Sequence, residues 1–198
     1  MLKLRWPQAT VLKRANTILL AIIILANGYV LVLPLLPKVD YEVKQRITKP
    51  VQVDPTNDTS IKNIDRSRNH LILPSMQLDE PVFDGTSPST VHKGIWRRPN
   101  TSSPDKGSNT VLVGHRFTYD GNAVFYNLDK LQVHDDVYLV YNQKIYHYTV
   151  DGSAIVPPTA TEVEAPSTET KLTIYTCTPL ITAKNRLVYT AKLEKIYD

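Results

Sequence analysis

The sequence predicts an all-β domain, either a sandwich or a barrel, that follows a single N-terminal transmembrane helix. Short runs with alternating apolar and polar residues recur between turns from residue 70 to residue 198. Many short strands at this spacing are typical of sandwiches and barrels. Roughly 130 residues are enough to form one hydrophobic core. The other observation is a long uncharged apolar stretch near the N-terminus.

This apolar stretch covers residues 17–36 and contains no charged side chain. About 20 residues at 1.5 Å per residue span roughly 30 Å, the thickness of a bilayer's hydrocarbon core. The alternative is a cleavable signal peptide, whose apolar region usually has about 7–15 residues and ends in small residues. Here apolar residues continue past Ala26-Asn27-Gly28. We therefore predict an uncleaved signal anchor at residues 17–36.

The charge distribution predicts the orientation of the chain and excludes one class of partner. The four basic residues of the predicted tail, residues 1–16, have no acidic neighbours, which favours a cytoplasmic N-terminus and an exported C-terminal part. The whole chain has 23 Lys and Arg against 19 Asp and Glu, so the part after the tail is balanced. A nucleic-acid-binding domain needs a basic patch. We therefore predict no nucleic-acid partner.

Residues 37–69 are polar and mixed in charge, and they show no sustained apolar period. This composition predicts a stalk between the membrane and a folded domain at residues 70–198. A helical turn is predicted at residues 89–93, a short crossover helix at 123–131, and a long loop at 156–170. Strands are predicted at residues 71–73, 78–83, 109–116, 137–141, 144–155, 172–176 and 187–191.

Cys177 is the only cysteine of the chain, and it lies at the end of the predicted strand 172–176. Pro179 cannot donate a backbone hydrogen bond, so regular pairing should stop there. Exported domains usually pair their cysteines in disulfides, which a single cysteine cannot do within one chain. Cys177 is therefore either a small buried hydrophobic residue or a nucleophile presented by a strand end. Arg186 opens the next predicted strand.

Among five histidines, His115 has a distinctive position. It follows the apolar run 111–113 and Gly114, so it should occupy a strand end, as Cys177 does. The other four histidines are interpreted as surface or structural residues. A structural zinc site needs four ligands, commonly in close Cys and His pairs. One cysteine and no His-x-x-x-His spacing do not favour such a site.

Together these residues resemble the sortases, the membrane-anchored cysteine transpeptidases of bacterial surfaces. The family motif Thr-Leu-x-Thr-Cys appears at residues 173–177 as Thr-Ile-Tyr-Thr-Cys, followed by Arg186. Residues 113–116, Val-Gly-His-Arg, and residues 123–128 are similar to the segment that carries the family histidine. The resemblance extends over about residues 71–193. The Thr-Cys-Thr-Pro and Gly-His-Arg segments are closest to the class E and D branches.

The resemblance implies an eight-stranded barrel with a peptide groove that leads to Cys177, and no cofactor. It implies that Cys177 forms a thioacyl enzyme with an LPxTG-like sorting signal and that His115 transfers protons. It also implies that Arg186 supplies positive charge and donors to the developing oxyanion or to the substrate backbone. An incoming amine then receives the acyl group. Two alternatives use the same residues differently: a hydrolytic cysteine protease, and a membrane-tethered β-domain that only binds a ligand.

The substrate-binding residues follow from the same resemblance. The loop at residues 155–170 should form one wall of the groove, with Ile155, Val156 and Val163 as candidate contacts. Thr176, beside the nucleophile, is the fourth candidate. The acidic pairs Asp135-Asp136 and Glu162/Glu164 are possible calcium ligands, but such pairs usually lie on solvated surface, so we predict no metal.

The resemblance also implies partners and a location. The donors are sorting-signal peptides of secreted surface proteins. The acceptor amine belongs to a peptidoglycan precursor or to a pilin lysine, which would anchor proteins to the cell wall or build a fibre. The expected location is the bacterial cell membrane, with one span and an extracellular catalytic domain.

Overall fold

The computed structural model describes residues 9–32, 39, 43, 53, 58–118 and 122–198. The chain divides into two compact units, Met1–Lys44 and Gln45–Asp198. In the first unit, helix α1 (Ala9–Val32) contains the span Val11–Val32, which has no buried residue and a mean hydropathy of 2.1. Its length and composition make it a candidate membrane span. The helix begins before the predicted residue 17, and residues 33–36 of the prediction lie outside the described residues.

The second unit contains eight strands that close into a barrel, in the order β1-β2-β3-β4-β7-β8-β6-β5, with β5 pairing back onto β1. The β2–β3 and β4–β7 pairs are parallel and the other pairs are antiparallel. This confirms the predicted eight-stranded barrel. The strands are β1 (His70–Leu73), β2 (Leu78–Asp84), β3 (Ile95–Arg97), β4 (Asn109–Val113), β5 (Asp136–Tyr141), β6 (Lys144–Val156), β7 (Lys171–Thr178) and β8 (Asn185–Tyr197).

The barrel core is filled by alternate residues of each strand, because successive side chains of a strand point to opposite faces. On β7, Leu172 and Ile174 are buried in the central cluster, which also contains Leu112 of β4 and Leu187 of β8. Each fully buried leucine or isoleucine contributes about 1.5–3 kcal/mol. Tyr175 belongs to a different cluster on the outer face. The inward pattern therefore fixes which residues of β7 point outward.

Short 3₁₀ helices connect several strands, at Pro74–Met76, Pro88–Lys93, Pro104–Lys106, Leu128–Lys130 and Thr161–Glu164. The helical turn predicted at residues 89–93 is confirmed by Pro88–Lys93, which ends at Gly94. The short strand β3 was not predicted. The strand predicted at residues 109–116 ends at Val113 instead.

The crossover helix predicted at residues 123–131 is wrong, since only Leu128–Lys130 is helical. The apolar spacing of this segment has a different cause. Phe125 and Leu128 are fully buried side chains of the barrel core. The segment folds as consecutive turns, and the amide of Phe125 donates to the carbonyl of His115 at 3.0 Å. These side chains close the barrel rather than forming a helical stripe.

The folded packing begins before residue 70, where the sequence placed the domain start. Helix α2 (Asp58–Lys62) carries Ile61, which is fully buried. Ile61 packs on outward-facing residues of the barrel, Ile72, Tyr138, Val140 and Ile145. The C-terminal end of the predicted stalk therefore packs on the barrel. Most of residues 37–57 lies outside the described residues.

Candidate active site

Strand β7 presents Cys177 on the outer face of the barrel. Its neighbours on the inner face, Thr176 and Thr178, are buried, whereas Cys177 is a partly exposed free cysteine. In the closed barrel, β7 lies between β4 and β8. The thiol therefore has one strand on each side, and each strand can supply a partner.

On the β8 side, Arg186 lies directly opposite Cys177 in the antiparallel register. Side chains of such a pair extend from the same face, with Cβ atoms about 4.5–5.5 Å apart. Nη1 of Arg186 donates to the carbonyl oxygens of Ala183 at 3.3 Å and Asn185 at 3.1 Å. These bonds hold part of the guanidinium at the β7–β8 turn, on the side of the thiol.

On the β4 side, the regular ladder ends two residues before His115. The last parallel pair is Val113 with Tyr175. One backbone bond follows, from the amide of Gly114 to the carbonyl of Tyr175, at 3.4 Å. The hydroxyl of Thr176 then donates to the carbonyl of Gly114 at 2.8 Å. The chain therefore continues beside β7 after β4 has ended.

His115 is held beside Cys177 by contacts of the residues around it. Gly114 accepts from Thr176, and Nη1 of Arg116 donates to Oγ1 of Thr178 at 2.8 Å. The residues before and after His115 thus contact the residues before and after Cys177. Neighbouring strands lie about 4.8 Å apart, so the two backbones run close together at this point. The backbone of His115 thus runs on one side of Cys177 and that of Arg186 on the other.

Gly114 is required for this arrangement. A Cβ atom at this position would lie 2.6 Å from Cγ2 of Val124 and 2.7 Å from Cδ2 of Phe125. Any larger residue would displace the segment that closes the barrel and that bonds to the carbonyl of His115. The Gly-His sequence therefore reflects the close approach of two chain segments.

His92 also lies at this site, although the sequence indicated only a surface or structural histidine. Its exposed ring lies 4.9 Å from the ring of His115, centroid to centroid, at an interplanar angle of 42°. The contact depends on how the 3₁₀ helix Pro88–Lys93 folds over the barrel end. No local sequence pattern could have indicated it.

The predicted groove residues fall on different faces. Val156 and Val163 pack against the outer cluster of Val111, Tyr175 and Val188. Val156 lies opposite Arg186 in the β6–β8 register, which places it on the outer face.

Ile155 and Thr176 are placed differently. Ile155 lies opposite Leu187, a core residue, although its own side chain at the barrel end is 66% exposed. Thr176 is fully buried on the inner face of β7. Its position does not support a side-chain contact with substrate, because strand alternation turns residues 176 and 177 to opposite faces.

The loop between β6 and β7 is fastened beside the outer cluster. Oε1 of Glu164 accepts from Nε of Arg98 at 2.9 Å and from the hydroxyl of Tyr175 at 2.6 Å. Nδ2 of Asn109 donates to the carbonyls of Val163 and Ala165, each at 3.0 Å. The predicted wall is therefore anchored to β4 and β7.

These contacts keep the hydroxyl of Tyr175 protonated. They also give Glu164 a structural role. Burial, reinforced by the hydrogen bond to Glu164, raises the pKa of Tyr175, so its hydroxyl stays protonated and donates at neutral pH. Among the described residues, no group of three or more His, Cys, Asp or Glu side chains is placed to hold a metal ion.

Comparison with known proteins gives consistent matches. The Sortase domain family profile matches residues 71–194. Sortase A of Bacillus anthracis is 25% identical over 161 residues, which cover 79% of this chain and 76% of that protein.

Two solved structures are also similar. Sortase E from Streptomyces avermitilis has 28% identity and a TM-score of 0.56, covering 65% of this chain and 88% of that one. Sortase C from Streptococcus pneumoniae has 25% identity and a TM-score of 0.59, covering 78% and 84%. Since these relatives are named sortase A, C and E, the class E or D assignment stays a prediction.

Proposed function

Since the chain belongs to the sortase family and is a sortase transpeptidase, we propose that three of its residues carry out the reaction. These residues are Cys177, His115 and Arg186. The observation that supports this assignment most directly is the position of Cys177 on the outer face of β7. Arg186 is its register partner on one side, and the contacts of residues 114 and 116 hold His115 on the other.

The first step forms the acyl enzyme. The thiolate of Cys177 attacks the carbonyl carbon of a Thr-Gly-type bond in a sorting-signal peptide, and the carbonyl electron pair moves to oxygen. The guanidinium of Arg186 donates to this developing oxyanion. Removal of a single oxyanion donor in other enzymes costs about 2.7–4 kcal/mol.

His115 then moves the protons. As the intermediate collapses, the C–N bond breaks and the imidazolium of His115 protonates the departing amine, which leaves a thioester on Cys177. The neutral imidazole accepts a proton from the incoming amine as that amine attacks the thioester. The new amide forms, the C–S bond breaks, and the thiolate and imidazolium return to their starting states.

The outer cluster forms the apolar floor of the substrate groove. Val156 and Val163, packed on Tyr175 beside the nucleophile, supply contacts for the apolar side chains of an LPxTG-like signal. A groove that covers the thioester limits the access of water and so favours transfer to an amine over hydrolysis. The exposed Ile155 contacts peptide that extends beyond the barrel end.

The donors are sorting-signal peptides of secreted surface proteins, and the acceptor is an amine of a peptidoglycan precursor or of a pilin lysine. The related sortase C from Streptococcus pneumoniae is described in terms of pilin substrate specificity. Helix α1 anchors the enzyme in the bacterial cell membrane as a single span. The basic residues before this helix and in its first turns favour a cytoplasmic N-terminus, so the barrel lies outside the cell.

The test uses the full-length enzyme in detergent with a library of LPxTG-like peptides, with and without an added amine such as diglycine. We expect mass spectrometry to find a thioester on Cys177 and an amine-dependent product. Both should be absent from Cys177→Ala. Release of peptide by water alone, unchanged by the amine, would indicate a hydrolytic protease. Absence of any acyl adduct would indicate a binding domain.

A further inference from the structure

The side chain of Arg116 connects three segments of the active site. Nη1 donates to Oγ1 of Thr178 at 2.8 Å, and Nη2 lies 2.8 Å from Oδ2 of Asp129. Nε donates to the carbonyl of Tyr126 at 3.4 Å. The guanidinium is only 11% exposed. It is thus a nearly buried cation, with its charge paired by Asp129 and its remaining donors directed at two other partners.

The contacts of Arg116 lie directly after the two predicted catalytic residues in sequence. Arg116 follows His115 in sequence, and Thr178 follows Cys177. The parallel ladder between β4 and β7 has already ended at Val113 and Tyr175. Beyond that pair, the 3.4 Å amide bond of Gly114, the Thr176 hydroxyl and Arg116 join the two segments. Of these, the bond of Arg116 lies on the far side of His115.

We propose that Arg116 is a positioning residue that sets the separation of the His115 imidazole from the Cys177 thiol. This proposal rests on the catalytic roles given to those two residues. Arg116 does not contact the substrate. It fixes the segment that carries His115 to the end of β7 on one side and, through Asp129 and Tyr126, to the turns that close the barrel on the other.

The geometry favours arginine over lysine at this position. A guanidinium offers several donors in a rigid plane, whereas an ammonium is a single point on a flexible stem. Lysine could keep the ion pair with Asp129, but it could not hold Thr178 and the carbonyl of Tyr126 at the same time. We therefore expect Arg116→Lys to recover only part of the activity lost in Arg116→Met.

The same chain offers a matched control, in which another nearly buried arginine loses its ion pair. Arg97 of β3 is 16% exposed and pairs with Asp84. Like Arg116 it is a nearly buried guanidinium with a carboxylate partner, but in the described part of the chain its side chain contacts Asp84, the carbonyl of Thr101 and the ring of Tyr141 instead of the segments around His115 and Cys177. Arg97→Met should therefore lower the melting temperature without lowering kcat.

The experiment measures kcat, KM and the rate of acyl-enzyme formation on the full-length enzyme with one sorting-type peptide. We expect Arg116→Met to lower kcat at least tenfold with KM changed less than twofold. Thr178→Val should lower kcat by a smaller factor. The double variant should be no slower than Arg116→Met alone, because both substitutions remove the same contact.

Three results would overturn the proposal: kcat within twofold of wild type in Arg116→Met, an equal loss of kcat in Arg97→Met, or multiplicative losses in the double variant. If Arg116→Met does not fold, Arg116→Lys and Thr178→Val decide by the same criteria. Failure of the wild type to form the acyl enzyme would instead contradict the proposed function, so the two failures are distinguishable.

Discussion

The two sides of β7 hold the neighbours of Cys177 in different ways. Toward β8 the ladder continues past the nucleophile, since Cys177 pairs with Arg186 and Thr178 pairs with Asn185. Toward β4 it ends at Val113 and Tyr175. The backbone of Arg186 is therefore fixed by regular sheet. His115 lies beyond the end of that ladder, where side-chain bonds of Thr176 and Arg116 supplement isolated backbone bonds of Gly114 and Phe125. Single substitutions should therefore displace it more easily.

The largest effect is expected at the histidine itself. His115→Ala removes the group that protonates the leaving amine, and general acid–base catalysis commonly contributes 10²–10⁴-fold. We expect kcat to fall by about this factor, measured by amine-dependent product formation. Alkylation of Cys177 by iodoacetamide should show that the thiol is still accessible. Product formation at the wild-type rate would show that another group transfers the proton.

The next largest effect is expected at Arg186, on the β8 side of Cys177. Arg186→Lys keeps the charge and the backbone pairing but loses the planar fork. We expect kcat to fall about 10²-fold, with an unchanged melting temperature because the strand pairing is intact. Lys192→Ala is the control on the same strand, since its exposed ammonium pairs with Glu194 in the described part of the chain. Equal activity in Arg186→Lys and wild type would contradict the oxyanion role.

A smaller effect should test whether the side-chain bond of Thr176 helps to position His115. Thr176→Val leaves the carbonyl of Gly114 without its 2.8 Å bond, at a cost of about 1–3 kcal/mol in unfolding free energy. It should also lower kcat severalfold. Thr110→Val is the matched change on β4, because Thr110 is fully buried and its hydroxyl has no partner in the described part of the chain. If both variants behave alike, the bond does not position His115.

The smallest effect on activity is expected in the groove wall. Tyr175→Phe removes the bond to Glu164, so KM for the peptide should rise a few-fold while kcat is kept.

The same variant has a pH signature. Folded Tyr175 keeps its proton above about pH 10, where an unfolded tyrosine loses it, so unfolding releases a proton and stability falls as pH rises from there. Denaturant unfolding between pH 8 and pH 11 should show a shallower alkaline fall in Tyr175→Phe. An identical slope would show that Tyr175 does not contribute.

The sequence predicted those parts of the site that depend on local pattern. Cys177 and Arg186 begin or end clear alternating runs, and His115 follows a buried one. The same alternation places Thr176 with Leu172 and Ile174 on the inner face, yet its proximity to Cys177 suggested a substrate contact. Adjacent residues of a strand point to opposite faces, so burial of Thr176 does not support a side-chain contact with substrate.

Other features depend on contacts between distant segments, which local patterns do not encode. The spacing of Phe125 and Leu128 matches a helix as well as a pair of turns that close a barrel. The contact of His92 with His115 requires the folded end of the barrel. Ile61 lies in a five-residue helix that is too short to show a period. In each case tertiary packing decided what the local pattern left open.

The position of β7 between β4 and β8 has a consequence for synthesis on the ribosome. The segment with His115 is made first, the thiol some sixty residues later, and the strand with Arg186 after both. Because β7 needs both neighbours, the proposed catalytic trio forms only after β8 has been translated. A nascent chain that displays its histidine therefore has no transpeptidase activity until β8 has joined the barrel.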